Sequence, residues 1–379
     1  GIIHRKDFSY EKHKRNMKAA VLREIKQPLS IEDISIDTPK INEVLVETKA
    51  SGVCRTDLHY IEGNYLHELP VILGHEVAGL VKEVGDNVKY LKKGDTVIGC
   101  LSIFCGRCER CLEGKPALCF RDPIWGLSRM ADDKAKLYRE NECINQFLRL
   151  SSFAEMMLVH ENALVKVDPG IAYEQLALLG CGITTGLGAV LKTARINPGC
   201  TVAVIGCGGV GLNVIQGARI AGALRIIAID TVKNKLRMAI NHGATDIVNA
   251  ISQNVVEEII EITKGGVDYS FDAIGTKITA EQSYDIIRPG GTATIVGLIP
   301  QGVKIELDGV GFIDEKKIQG SCMGSNQFRT DIPRYIELYK QGRLQIDSLV
   351  SQKLKLKGIN QAFEDMKTGE FARSVIVFD

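Results

Sequence analysis

The stretch VIGCGGVG, Val204 to Gly211, constrains the fold of this chain more than any other. It places Gly206, Gly208 and Gly211 in a G-x-G-x-x-G pattern, directly after the apolar run TVAVIG and at the head of the helical run GVGLNVIQGARIAGA. Glycines so placed make a tight strand-to-helix turn and let backbone approach a pyrophosphate, whose charge the helix N-terminus meets. Asp230 ends the next strand-like run, RIIAID, nineteen positions beyond Gly211. A carboxylate there accepts hydrogen bonds from an adenosine ribose and repels a 2′-phosphate, which favours NAD over NADP. The competing readings are a glycine turn kept for packing alone and Asp230 as the cap of a following helix, TVKNKLRMA.

The grammar around this turn is alternation. From Thr201, β-rich segments (RIIAID, VDYSFDAIG, TATIVGL) alternate with helical ones such as NVVEEIIEITKGG. That order predicts parallel strands joined by right-handed crossovers, an α/β fold with a doubly wound parallel sheet. Before it, from Lys18 to about Val167, short strands cut by glycine (NEVLVETKASGV, EVAGLVKEVG, DTVIGC) predict an irregular, mostly β region. LLGCGITTGLGAVLKTA reads as a helical bridge between the two, and after Cys322 the helical DIPRYIELYKQG leads to a last strand, SVIVFD. A chain of 379 residues has room for both domains.

Eleven cysteines raise the question of redox compartment. Residues 1–16 are polar and basic, unlike a secretory signal, and are expected to be an extension, disordered or foreign to a fold that starts at Met17. The expected compartment is the cytoplasm, where regularly spaced cysteines read as metal ligands. A net charge of +1 gives no reason to expect nucleic acid or an acidic membrane as partner, and no uninterrupted apolar run is long enough for a membrane span.

Cys105, Cys108, Cys111 and Cys119 suit a closed tetrahedral zinc site, although the C-x-x-C-x-x-C spacing also serves iron–sulfur clusters. A second set is dispersed: Cys54 in GVCRTDLHY, His75 and Glu76 in GHE, Cys181 in GCGITTG. Two thiolates and one imidazole from separate turns make a three-ligand zinc with a position left open, the arrangement of catalytic sites.

Six segments in order, GVCRTDLH, GHEVAGLVKEVG, the four-cysteine loop, GCGITTG, VIGCGGVG and AIDTVKNK, resemble the zinc-dependent medium-chain alcohol dehydrogenases from about Met17 to the C-terminus. The resemblance implies a mostly β GroES-like catalytic domain at 17–182, a Rossmann NAD-binding domain at 183–322, and a return to the catalytic domain at 323–379. It makes the four-cysteine loop a structural zinc site, for two zinc ions per subunit. It also implies that Cys54, His75 and Cys181 hold a catalytic zinc that lowers the pKa of an alcohol, so that hydride can pass to nicotinamide.

Further roles follow from the same resemblance. Thr56 and His59 form a proton relay, Asp57 orients His75, and Glu76 lies close enough to the metal to be an alternate ligand. Arg55 and Arg373 pair with the cofactor pyrophosphate, Lys235 lies near the adenosine ribose, and Val210 and Thr185 pack against the nicotinamide. The expected pocket wall is Leu101, Ile124, Phe147, Leu148, Leu298 and Met323, with Trp125 nearby. It suits an aromatic, allylic or medium-chain primary alcohol or aldehyde over a polyol.

The alternative within the family is an S-(hydroxymethyl)glutathione dehydrogenase, which carries an arginine four residues after the last loop cysteine. Here that position is Pro123, with Arg121 two residues early. An alternative of another class is a zinc- and NAD-binding sensor without turnover. The long segment between Cys119 and Cys181 accompanies dimers in the family, so a homodimer is expected, joined by strands such as TATIVGLI.

Overall fold

The computed structural model describes residues 14–119 and 135–379. The alternating segments build six parallel strands in the spatial order Asp246–Asn249, Arg225–Asp230, Thr201–Ile205, Val267–Asp272, Ile287–Ile295 and Lys317–Gly320. The order in which strands are added reverses beside Thr201–Ile205, and the crevice at that switch point, beyond the C-terminal strand ends, is where such sheets take their ligands. The helix Gly209–Ile220 starts there, after Gly206, whose φ of +93° suits a residue without Cβ. A Cβ on Gly211 would stand 1.7 Å from the Gly206 carbonyl oxygen, so only glycine lets this helix start so close to its strand.

The N-terminal region forms a small closed barrel and a second sheet. In the sheet, Glu43–Gly52 pairs with Glu76–Val84, Met156–His160 and Arg373–Val377, so the chain's last strand completes its first domain. That strand carries Arg373 next to Val53 and Glu76. One long helix, Tyr173–Ala194, bridges the two domains. It is apolar and long enough to cross a membrane, yet 83% of its apolar window is buried inside the protein, which makes it a core helix.

Two expectations need correcting. The first strand is Arg15–Leu22, with Arg15 opposite Ile36 and paired with Glu83, so ordered structure begins ahead of Met17. Thr292–Ile295 is not a sheet edge: Lys317–Gly320 covers it, because that polar stretch adds a sixth strand that its composition hides.

Candidate active site and cofactor crevice

Cys54 precedes the helix Arg55–Ile61 as its N-cap, and the carboxylate of Asp57 accepts from the Cys54 backbone N–H at 3.3 Å. The same fully buried carboxylate accepts from Gly74 N–H at 3.0 Å and from His75 Nδ1 at 3.1 Å. One acid thus caps a helix and fixes an imidazole carried on a different segment. With Nδ1–H donating to Asp57, the lone pair of Nε2 faces the other way, and Nε2 is buried with no hydrogen-bond partner.

What faces Nε2 is a cluster. Ligand atoms of Cys54, His75, Glu76 and Cys181 all lie within 4.8 Å of one another, and all four residues are buried. Cys181 arrives on a π-helical turn, Leu179–Ile183, inside the long helix; such turns are rare and concentrate at functional sites. Its flanking glycines give room: a Cβ on Gly180 would meet the Gly99 carbonyl oxygen at 2.3 Å, and one on Gly182 would meet Arg373 at 2.7 Å.

The cluster is polarised. Cys181 donates to Cys54, and this, together with His75 and Arg373, holds the Cys54 thiol well below its usual range despite burial. Burial pushes His75 down, but Asp57 and Cys54 outweigh it and hold the imidazole above its ordinary value. Glu76 is raised by burial even though Arg373 bonds its carboxylate, and Gly182 N–H donates to its other oxygen at 3.3 Å. Two thiols, one oriented imidazole with an orphaned nitrogen and a nearby carboxylate fit a zinc ion with one position for substrate.

The four-cysteine loop closes on itself. Sulfur atoms of Cys108 and Cys111 lie 3.5 Å apart, and those of Cys108 and Cys119 3.8 Å. A tetrahedron with metal–sulfur bonds of about 2.3 Å has edges of about 3.8 Å, so the spacing already fits zinc. Backbone N–H groups of Cys105 and Cys108 donate to Cys119 and Cys105 sulfurs, which favours thiolates.

In the crevice, a Cβ added to Gly208, the N-cap of the Gly209–Ile220 helix, would meet nothing within 4 Å, which leaves open backbone where a phosphate needs to approach. Asp230 ends its strand buried and accepts from Cys207 N–H (2.8 Å) and Val232 N–H (2.9 Å); Val232, and not Asp230, caps the helix Lys233–His242. Arg373 is packed between Gly182 and Gly209. Lys235 lies half-buried on the Lys233–His242 helix, Val210 half-buried in the first turn after Gly208, and Arg55 is exposed. Thr185 is buried, and its hydroxyl reaches the Met323 sulfur at 3.4 Å.

Thr56 and His59, three apart on one helix, share a face and are half-buried. Burial, then Arg55, lowers the His59 pKa, and the Asn64 side-chain amide donates to its Nδ1 at 3.2 Å. Of the pocket candidates, Leu101, Phe147 and Leu148 fall in one apolar cluster against which Met323 packs, and the Phe147 ring lies 6.0 Å from that of His75. Leu298 is half-buried in the loop after Ile287–Ile295. Ile124 and Trp125, with Arg121 and Pro123, lie outside the described residues. Sequence reasoning missed Tyr60 and Tyr65, which stack beside Phe147 and His59; the aromatic-rich YIEGNYLH was the available signal.

Two family profiles match, described as alcohol dehydrogenase GroES-like domain over residues 40–169 and zinc-binding dehydrogenase over 209–341. A Saccharomyces cerevisiae protein named S-(hydroxymethyl)glutathione dehydrogenase is 39% identical over 370 residues, covering 95% of this chain and 96% of its own. A Burkholderia ambifaria protein titled alcohol dehydrogenase zinc-binding domain protein superposes with a TM-score of 0.92 at 37% identity, over 97% of this chain and all of its own. Benzyl alcohol dehydrogenase of Acinetobacter calcoaceticus superposes at 0.91 with 33% identity, over 96% of this chain and all of its own.

Proposed function

This chain belongs to the zinc-dependent medium-chain alcohol dehydrogenase family, and from that premise we propose that it interconverts hydrophobic primary alcohols and aldehydes with NAD, using two zinc ions per chain. The observation that carries the reading is the buried meeting of Cys54, His75 and Cys181, with an orphaned imidazole nitrogen, beside an arginine that packs on the glycine turn. Zinc held by those three residues would lower the pKa of a substrate hydroxyl, and NAD in the crevice would accept the hydride. Balanced, the alcohol carbon gives hydride to NAD and its hydroxyl gives a proton to solvent.

The chain's own part is positioning and proton movement. Asp57 holds His75 in the tautomer that presents Nε2. Thr56 receives the hydroxyl proton as it gives up its own, and His59, kept neutral near pH 7 by burial, passes a proton outward. Arg373, packed on Gly209, and Arg55 supply positive charge for the pyrophosphate, with Lys235 and Asp230 at the ribose, and Val210 and Thr185 flank the nicotinamide. Glu76 tempers the charge of Arg373 from the metal side and is a candidate alternate ligand. The Cys105–Cys119 loop takes the second zinc, with no coordination position left for substrate.

Phe147, Leu101, Leu148, Leu298 and Met323 offer apolar contact and few polar partners, which suits an aromatic or medium-chain alcohol. The 39% relative favours a second reading, S-(hydroxymethyl)glutathione as substrate. We assign a homodimer through Lys317–Gly320, the edge strand of the parallel sheet among the described residues, beside exposed Val310, Phe312 and Ile313. Light scattering that gives a monomer or tetramer refutes that assignment.

The deciding experiment is NADH formation from benzyl alcohol, hexanol, sorbitol and formaldehyde with glutathione, each with NAD and NADP. Benzyl alcohol or hexanol should lead in kcat/KM, with NAD. A sorbitol preference defeats the apolar pocket, and a glutathione adduct outpacing every plain alcohol installs the second reading. Silence with zinc and NAD both bound makes the protein a sensor.

A further inference from the structure

Tyr65 lies just past the Arg55–Ile61 helix and touches both domains. Its ring packs edge-on against His59, centroids 5.8 Å apart with planes at 78°. It lies 5.7 Å from the ring of Tyr60, which in turn meets Phe147 edge-on at 4.7 Å. This aromatic row leads back to His75, whose ring is 6.0 Å from Phe147. The Tyr65 hydroxyl leaves the row and donates to the carbonyl oxygen of Leu298 at 3.3 Å.

Leu298 belongs to the parallel-sheet domain and follows a firmly anchored point. Val296 and Gly297 N–H groups both donate to the Asp272 carbonyl oxygen, at 2.9 and 2.8 Å. Gly297 also packs so closely on Gly275 that a Cβ would stand 2.2 Å from the Gly275 nitrogen. The Leu298 carbonyl is therefore a fixed acceptor on the cofactor side. Among the described residues, no other hydrogen bond joins the 55–75 segment to the parallel-sheet domain.

We propose that the Tyr65 hydroxyl is a clasp between the two domains, closing the side of the cleft lined by His59 and Leu298 and setting how fast reduced cofactor leaves. Packing of Tyr65 on His59 and Tyr60 needs only a ring; the hydroxyl adds a polar tie that a phenylalanine would lack. One half-buried bond of this length biases a closed cleft and still opens in each turnover, as product release requires. Tyr65 acts through the position of the two domains and is a positioning residue. The proposal rests on the dehydrogenase reading above.

The test is Tyr65→Phe in the full-length, zinc-loaded protein, with NADH release followed by stopped-flow fluorescence. The ring contacts stay and only the donor goes. Release should quicken roughly fivefold, the equivalent of about 1 kcal/mol, with Tm unchanged and with kcat and KM for the alcohol rising together where release limits turnover. Tyr65→Leu removes the ring as well, so it should quicken release equally and in addition alter the pH profile through the lost contact with His59. NADH bound normally but released from Tyr65→Phe at the wild-type rate overturns the clasp alone. A wild-type protein that binds no NADH overturns the dehydrogenase reading, and the clasp with it.

Discussion

Replacing Asp57 by asparagine isolates what a single buried carboxylate does for the metal cluster. The side chain is fully buried and accepts three hydrogen bonds: Gly74 N–H and His75 Nδ1–H on Oδ1, and Cys54 N–H on Oδ2. Asparagine is isosteric but has one acceptor oxygen. If that oxygen takes the Oδ1 position, two bonds survive and the amide NH2 faces the Cys54 N–H, donor against donor. That leaves a buried donor unsatisfied, at a cost of about 1–3 kcal/mol. If the amide is flipped, NH2 faces His75 Nδ1, which must then accept; the ring proton moves to Nε2 and abolishes its use as a ligand. The first orientation therefore wins, and His75 keeps its tautomer but loses the negative charge behind it.

Losing such a partner typically costs a factor of about 10–100 in metal affinity or activity, or roughly 1.4–2.7 kcal/mol. The expected outcome for Asp57→Asn is a zinc content that falls from two towards one per chain under chelator competition, with kcat/KM down by about the same factor. Asp57→Ala, which removes all three acceptors and leaves a cavity, should lose catalytic zinc at lower chelator concentration still. Zinc retention and kcat/KM equal to wild type in Asp57→Asn would refute the claim that this acid orients and charges the ligand.

Two further outcomes separate the remaining roles. Cys111→Ser should lower Tm by roughly 5 °C or more while leaving appreciable turnover in the folded fraction, whereas His75→Ala should abolish turnover with the smaller thermal loss; calorimetry beside steady-state kinetics checks this, and equal effects on both readouts contradict it. For His59, burial holds the pKa below 6.5, so the neutral, proton-accepting form is lost only as pH falls through that depressed value. Alcohol oxidation in the wild type should thus rise with pH through that point and level above it. His59→Gln should cost roughly a hundredfold near pH 7 and recover towards pH 9, where hydroxide substitutes; a pH profile parallel to wild type removes His59 from the relay.

What could be read from the residues was what is encoded locally. The glycine turn at 206–211 needs a strand, three glycines and a helix in direct succession, and the cysteine loop fits in fifteen residues, so each carries its own geometry. The Arg15 start of the first strand and the Lys317–Gly320 edge were missed because their partners, not their composition, make them strands. The π-turn at Cys181 leaves no pattern in GCGITTG beyond its glycines, whose reason is the backbone of Gly99 and the guanidinium of Arg373. Tyr65 and Leu298 are 233 positions apart, and Glu76 and Arg373 297 apart; no local periodicity reports either pair.

That contrast orders the two metal sites physically. The four-cysteine loop spans fourteen positions and supports its sulfurs with its own backbone N–H groups, so it can gather zinc once that one loop has turned. The second cluster draws Cys54 from the head of a helix, His75 and Glu76 from the start of the Glu76–Val84 strand in the second sheet, and Cys181 from a helix shared with the cofactor domain. Its ligand atoms converge only when those elements are packed together and Arg373, on the last strand, is in place against Glu76. Affinity at that site therefore measures the docking of three segments at once, and any loosening between them is felt there before it is felt in the loop. On the reading proposed above, the zinc assigned to chemistry would be the one whose binding requires the assembled fold, so an activated metal would not form on a partly folded chain.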